Sequence, residues 1–94
     1  MLILHVTYRF RDDTRDAFLK EIRDAGIDAA IRAENGCRRY DYYLSTEGSP
    51  EVLLVEMWDS PACQEKHLRQ PHMAPLAAIK NKYVSDTIIE KFVV

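Results

Sequence analysis

Apolar and polar side chains alternate from Leu2 to Phe10. Leu2, Leu4, Val6, Tyr8 and Phe10 share one face, and Ile3, His5, Thr7 and Arg9 share the other. A period of two predicts a strand, buried on one side and mixed on the other. Asp12, Asp13 and Thr14 then supply an N-cap and negative charge for a helix start. The spacing lengthens to that of a helix: Phe18, Ile22, Ala25, Ala29 and Ala33 form one stripe. Ile27 and Ile31 fall opposite it, with Gly26 where the phase breaks. A kink, a bulge or a second buried contact is expected there. The helix is predicted to reach Glu34, and Asn35-Gly36 closes it with a residue suited to the left-handed conformation.

Alternation returns over 37–45. Tyr40, Tyr42 and Leu44 face one way; Cys37, Arg39, Asp41 and Tyr43 face the other. Glu47-Gly48-Ser49-Pro50 reads as a hairpin loop. A third strand covers 51–58, with Val52, Leu54, Glu56 and Trp58 on one face and Leu53, Val55 and Met57 on the other. Ser60-Pro61 is an N-cap followed by a first helical residue. A short helix carries Ala62 to Arg69. Pro71 ends it and starts another, which runs to about Lys82, and 83–93 form a last strand. The order is β-α-β-β-α-β, so the fold class is α+β: a ferredoxin-like, four-stranded antiparallel sheet with helices. The 94 residues predict one domain over 1–94.

Composition changes this picture in one respect. A chain this short hides only roughly 60–70% of its unfolded surface, yet 47% of its residues are hydrophobic. The strands at 51–58 and 84–93 are apolar on both faces, more than one helical layer can cover. A homodimer built through the sheets is expected. The net charge is −2, from 13 basic and 15 acidic residues scattered along the chain. With no basic block, nucleic acid is a poor partner. No apolar run approaches the ~18 residues of a membrane span. Met1 to Val6 lacks the flanks of a signal peptide. Cys37 and Cys63 stand apart from any metal-finger spacing, so reduced thiols and a cytoplasmic location are expected.

The stretch Glu56-Met57-Trp58-Asp59-Ser60-Pro61, then His67 and Gln70-Pro71-His72-Met73, gathers the chain's chemistry-bearing side chains. It resembles the antibiotic biosynthesis monooxygenase family. Glu34-Asn35-Gly36-Cys37 through Tyr40 is similar to that family's Glu-x-Gly-Cys-x-x-Tyr turn into the second strand. The resemblance covers nearly the whole chain. It implies a dimeric α+β barrel, with two four-stranded sheets face to face, helices outside, and a cavity between sheet and helices. It further implies chemistry without flavin or metal, in which the substrate's own anion reacts with oxygen. Haem-degrading members carry an Asn, a Trp and a His at positions whose approximate counterparts here are Thr7, His67 and Ala77. All three differ, so haem is not expected. His67 with Pro71-His72 resembles the quinol oxygenase and sugar-phosphate isomerase branches alike.

Three histidines are candidate bases, because an imidazole titrates near neutrality and can take a phenolic or enolic proton. His67 and His72 are five apart across a proline, and no His-Glu-x-x-His pattern exists, so no metal site is expected. His72 could instead cap the helix after Pro71. His5 lies on the mixed strand face. Trp58 and Tyr42 are candidate walls for a flat ring, with Arg9 and Arg39 beside them. Glu56 is an acid inside an apolar strand, and a structural ion pair with Arg9, Arg39 or Lys91 is expected.

These readings converge on a cofactor-independent monooxygenase for a small quinol, phenol or polycyclic enol, with no cofactor. His67 or His5 would remove the proton. Two alternatives stand beside it. One is a cofactor-free isomerase of a keto-sugar phosphate, with Arg9, Arg39 and Lys66 as phosphate cations. The other is a non-enzymatic dimeric binding module.

Overall fold

The computed structural model describes residues 1–94. Its elements are β1 (Leu2–Phe10), α1 (Arg15–Asp24), α2 (Ile27–Arg32), β2 (Cys37–Leu44), β3 (Val52–Trp58), α3 (Pro61–His67), α4 (Met73–Tyr83) and β4 (Val84–Val93). β1 pairs with both β3 and β4, and β2 adds outside β3. All pairings are antiparallel, and the strand order is β2-β3-β1-β4. This is the ferredoxin-like arrangement that the periodicity predicts.

The predicted first helix is two helices. Gly26 adopts φ 69°, a left-handed turn that costs glycine nothing. The turn rotates the second segment about its axis. Ile27 and Ile31 therefore continue the buried line of Phe18 and Ile22, while Ala25, Ala29 and Ala33 are exposed. A single helix would have put those alanines inside.

Strand register sorts the side chains into rows. On the helix-facing side one row reads Tyr42, Leu54, Val6, Ile89, and the next reads Tyr40, Glu56, Leu4, Lys91. A bulge makes Arg38 an extra residue and pairs Cys37 with Trp58. Cys37 thus packs against the helix-side core, opposite to the face that strict alternation assigns it. Leu2, Leu4, Val6, Tyr8, Leu54 and Trp58 meet Phe18, Ile22, Ile27, Ile31 and Leu76 in one hydrophobic cluster.

No helix covers the other side of the sheet. Its rows are Tyr43, Leu53, Thr7, Ile88, then Asp41, Val55, His5, Glu90, then Arg39, Met57, Ile3, Phe92. Tyr43, Leu53, Ile88 and Phe92 are 37–43% exposed there.

Candidate active site

α3 starts where its sequence says it should. Ser60 Oγ accepts from the Cys63 amide at 3.3 Å, and Pro61 opens the helix. Seven residues later the helix ends at His67, which drops its ring into the core at 2% exposure. The ring lies against Trp58 at 4.7 Å between centroids, and 6.1 Å from Tyr40. Trp58 is fully buried, so it supports the imidazole from beneath.

Glu34 reaches the same place from the turn between α2 and β2. Gly36 in that turn has φ 85°, and a Cβ there would stand 2.5 Å from Cys63 Sγ. Only glycine allows the turn to lie this close to α3. The Asp59 amide donates to Gly36 O at 2.9 Å and ties the turn to the end of β3. Glu34 Oε2 then sits 2.9 Å from His67 Nδ1 and 2.6 Å from His72 Nε2. Both histidines share one carboxylate oxygen. His72 stands at the N-cap of α4 but makes no side-chain cap, because its ring is turned to Glu34. This corrects the capping expectation for His72.

A cavity of about 210 Å³ opens beside this cluster, between the sheet and helices α3 and α4. Leu4, Val6, Met73, Leu76 and Ile89 give it apolar walls. Tyr8, Tyr40, Glu56, Gln64, His67, Lys80 and Lys91 bring the polar groups. Glu56 makes no ion pair. Its Oε1 accepts from the Trp58 indole N–H at 3.1 Å, while Arg9 pairs with Glu51 and Arg39 with Asp41 on the far face. The expected structural ion pair is therefore absent: the sheet separates those arginines from Glu56, and Lys91, on the same face, stands one strand further away across Leu4. Burial pushes the Glu56 carboxyl above its ordinary range, opposed by the Trp58 hydrogen bond and the fields of His67, Lys80 and Lys91. Burial holds the Lys80 ammonium below the usual lysine range, with Glu56 pulling it back up.

The cavity thus unites His67, with His72 behind it through Glu34, and leaves other candidates elsewhere. His5 lies on the open face, edge-on to Phe92 at 5.3 Å. Arg9 and Arg39 share that face and do not line the cavity. Tyr42 lies in the aromatic core between Phe18 and Tyr40 rather than on the cavity wall. Burial pushes its hydroxyl up to about 12. Glu34, Lys80 and Tyr8 were not singled out by spacing. Of these only Glu34 left a signal, as the first residue of the Glu-x-Gly-Cys turn.

Chemically, the arrangement can hold and move a proton. A carboxylate only accepts, so with His67 Nδ1–H and His72 Nε2–H both donating to Glu34, Nε2 of His67 is left with its lone pair. The same three residues have ligand atoms within 4.8 Å of one another, so they could hold a divalent cation. The spacing of His67 and His72 alone did not suggest this, because the third ligand comes from Glu34.

An α+β domain with a carboxylate-oriented imidazole at a cavity between sheet and helices defines the class of protein. The profile of the Antibiotic biosynthesis monooxygenase family matches residues 1–78, and the chain belongs to that family. It is 42% identical over 62 residues to Rv0793 of Mycobacterium tuberculosis. That alignment covers 66% of this chain and 58% of the relative's length. The structure of Rv0793 superposes with a TM-score of 0.83 at 28% identity, over 99% of this chain and 93% of that one. PA3566 of Pseudomonas aeruginosa superposes with a TM-score of 0.85 at 24% identity, over 99% and 92%, a likeness of fold. No helix here is long and apolar enough to cross a membrane.

Proposed function

We propose that this protein is a cofactor-independent monooxygenase for a small quinol or phenol, with His67 as general base. The observation that carries this reading is the Glu34–His67 contact at the wall of a largely apolar cavity. A buried carboxylate on Nδ1 holds the ring in place and stabilises the imidazolium that forms when Nε2 takes a proton. The cavity volume of about 210 Å³ lies below the usual range of about 300–1,000 Å³ for ligand pockets. A small quinol or phenol therefore fits this reading better than a polycyclic enol.

In the proposed reaction His67 Nε2 removes the substrate's hydroxyl proton. The resulting anion passes one electron to dioxygen, giving a substrate radical and superoxide. The pair recombines to form a C–O bond, and protonation yields a hydroperoxide. Loss of water from a carbon that bears hydrogen leaves a carbonyl. The balance is one ring C–H, one phenolic O–H and one O2 consumed, two C=O groups and one water formed. The apolar walls keep bulk water from the anion.

The second part of the proposal is a homodimer through the open sheet face. Its support is the exposed apolar side chains Tyr43, Leu53, Ile88 and Phe92 on the sheet face that no helix covers.

Oxygen-electrode assays with a panel of quinols and phenols test the activity. Oxygen uptake that is equal with and without protein would refute it. Elemental analysis of the purified protein tests metal independence, since Glu34, His67 and His72 could retain an ion through purification. Stoichiometric metal whose removal abolishes turnover would overturn that part.

A further inference from the structure

Lys80 is the half-buried cation of this cavity, and its charge has no partner at ion-pair distance. It comes from the last turns of α4, and its ammonium makes neither an ion pair nor a hydrogen bond. Its nitrogen stands 5.7 Å from the centroid of the Tyr8 ring, a face that favours a cation. The nearest acid, Glu56, gives its Oε1 to the Trp58 indole. An ammonium drawn partly out of water without a counter-ion is costly to keep unless something else occupies the place of one.

The other groups on the wall point the same way. Burial holds the hydroxyls of Tyr8 and Tyr40 well above the usual phenol range, so both stay protonated and can donate. His67 and Glu56 face the same space, and Lys91 stands exposed at its β4 edge. A negative charge entering the cavity would meet Lys80 as its one half-buried cation.

We propose that Lys80 Nζ is the oxyanion site of this cavity, where the phenolic or enolic oxygen of the substrate is bound as its anion. The substrate O–H bond breaks, the proton forms a bond to His67 Nε2, and the negative charge left on oxygen rests against the ammonium. The inference deepens the oxygenase reading and rests on it for the identity of the ligand. Lys80 touches the reacting oxygen and selects substrates with an acidic hydroxyl over their ethers.

The test uses 4-nitrophenol, whose anion absorbs visible light and whose acid does not, titrated against the whole protein. 4-Nitroanisole, which has no ionisable proton, serves as the neutral comparison. Wild type is expected to bind the dye as the anion, shifting its spectrum toward that form. Lys80→Met is expected to weaken anion binding by about tenfold or more, the usual scale of a hydrogen bond to a charged group. Its affinity for nitroanisole should stay unchanged. Lys80→Gln is a second neutral variant should Lys80→Met melt early, and Lys91→Met should retain the spectral shift. Dye that does not bind, or binds to wild type as the acid, overturns the inference. Equal anion binding by the Lys80 variants, or loss in Lys91→Met alone, overturns it too. Because the dye need not be oxygenated, dye bound as the anion by a protein that takes up no oxygen with any quinol or phenol of the panel would sink the oxygenase reading and leave the oxyanion site standing.

Discussion

His67 Nδ1 lies 2.9 Å from Glu34 Oε2, although 33 positions separate the two residues in the chain. One side chain ends a helix and the other sits in a turn on the far side of a strand pair. Their meeting sets the imidazole's tautomer, and hence which nitrogen can act on a substrate. The second contact, from His72 at 2.6 Å, leaves the carboxylate oxygen shared and fixed.

That geometry separates a base from a positioning residue. His67→Ala is expected to reduce kcat by about 100-fold, the usual size of a general-base contribution. Glu34→Gln should reduce it by about tenfold or more by releasing the ring. The double variant should be about as slow as His67→Ala alone, because Glu34 acts only through His67. Multiplying single effects in the double variant would place Glu34 in the chemistry independently. The comparison counts only for variants that keep the wild-type thermal midpoint.

Glu56→Gln is expected to stabilise the fold at neutral pH by about 1 kcal/mol, since a buried carboxylate without a cationic partner opposes folding. The amide oxygen can still accept from Trp58. The sign with pH follows from the raised carboxyl. Above its folded-state pKa the wild-type side chain is ionised and the full penalty applies. As pH falls through that pKa the native state takes up a proton. Below the unfolded carboxylate range both states are neutral and the advantage of Gln disappears. Denaturant melts across pH would measure this. A lower midpoint for Glu56→Gln at neutral pH would reveal an ion pair after all.

The two left-handed glycines of the α1–α2–β2 region predict unequal costs. At Gly26 a Cβ would meet nothing within 4 Å, while at Gly36 it would meet Cys63 Sγ at 2.5 Å and Cys63 Cβ at 2.9 Å. Gly26→Ala should cost about 1–2 kcal/mol for the backbone alone. Gly36→Ala adds overpacking of about 1–3 kcal/mol, and it should slow turnover as well by shifting the turn that carries Glu34. Thermal melts with paired assays decide this, and equal destabilisation of the two variants would contradict it.

Phe92→Glu addresses the open sheet face. Wild type should sediment as a dimer at micromolar concentration, and the variant should be a monomer. Phe92 is 43% exposed and packs with His5 on that face. A carboxylate there would have to lose its water on association. A wild-type monomer, or a variant dimer of equal stability, would show that the subunits do not meet through this face.

Local periodicity was enough to determine the element order, because strand and helix spacing are written between near neighbours. The cap at Ser60-Pro61 and the closing Gly36 were legible for the same reason. His67 and His72 were legible as chemistry, since few side chains titrate near neutrality. What the chain did not reveal was which distant residues share a face. Glu56 and Arg39 lie in different strands, so only the register of β2 on β3, shifted by the bulge at Arg38, placed them on opposite sides. His5, Arg9 and Arg39 went to the uncovered side because all four helices pack on the other. Trp58 and Tyr42 went into the core rather than onto the cavity wall. Glu34 joined His67 through the close approach of its turn to Cys63, and Lys80 met the cavity through the docking of α4. Each of these depends on contacts between residues far apart in sequence, and hydrophobic spacing carries no record of such partners.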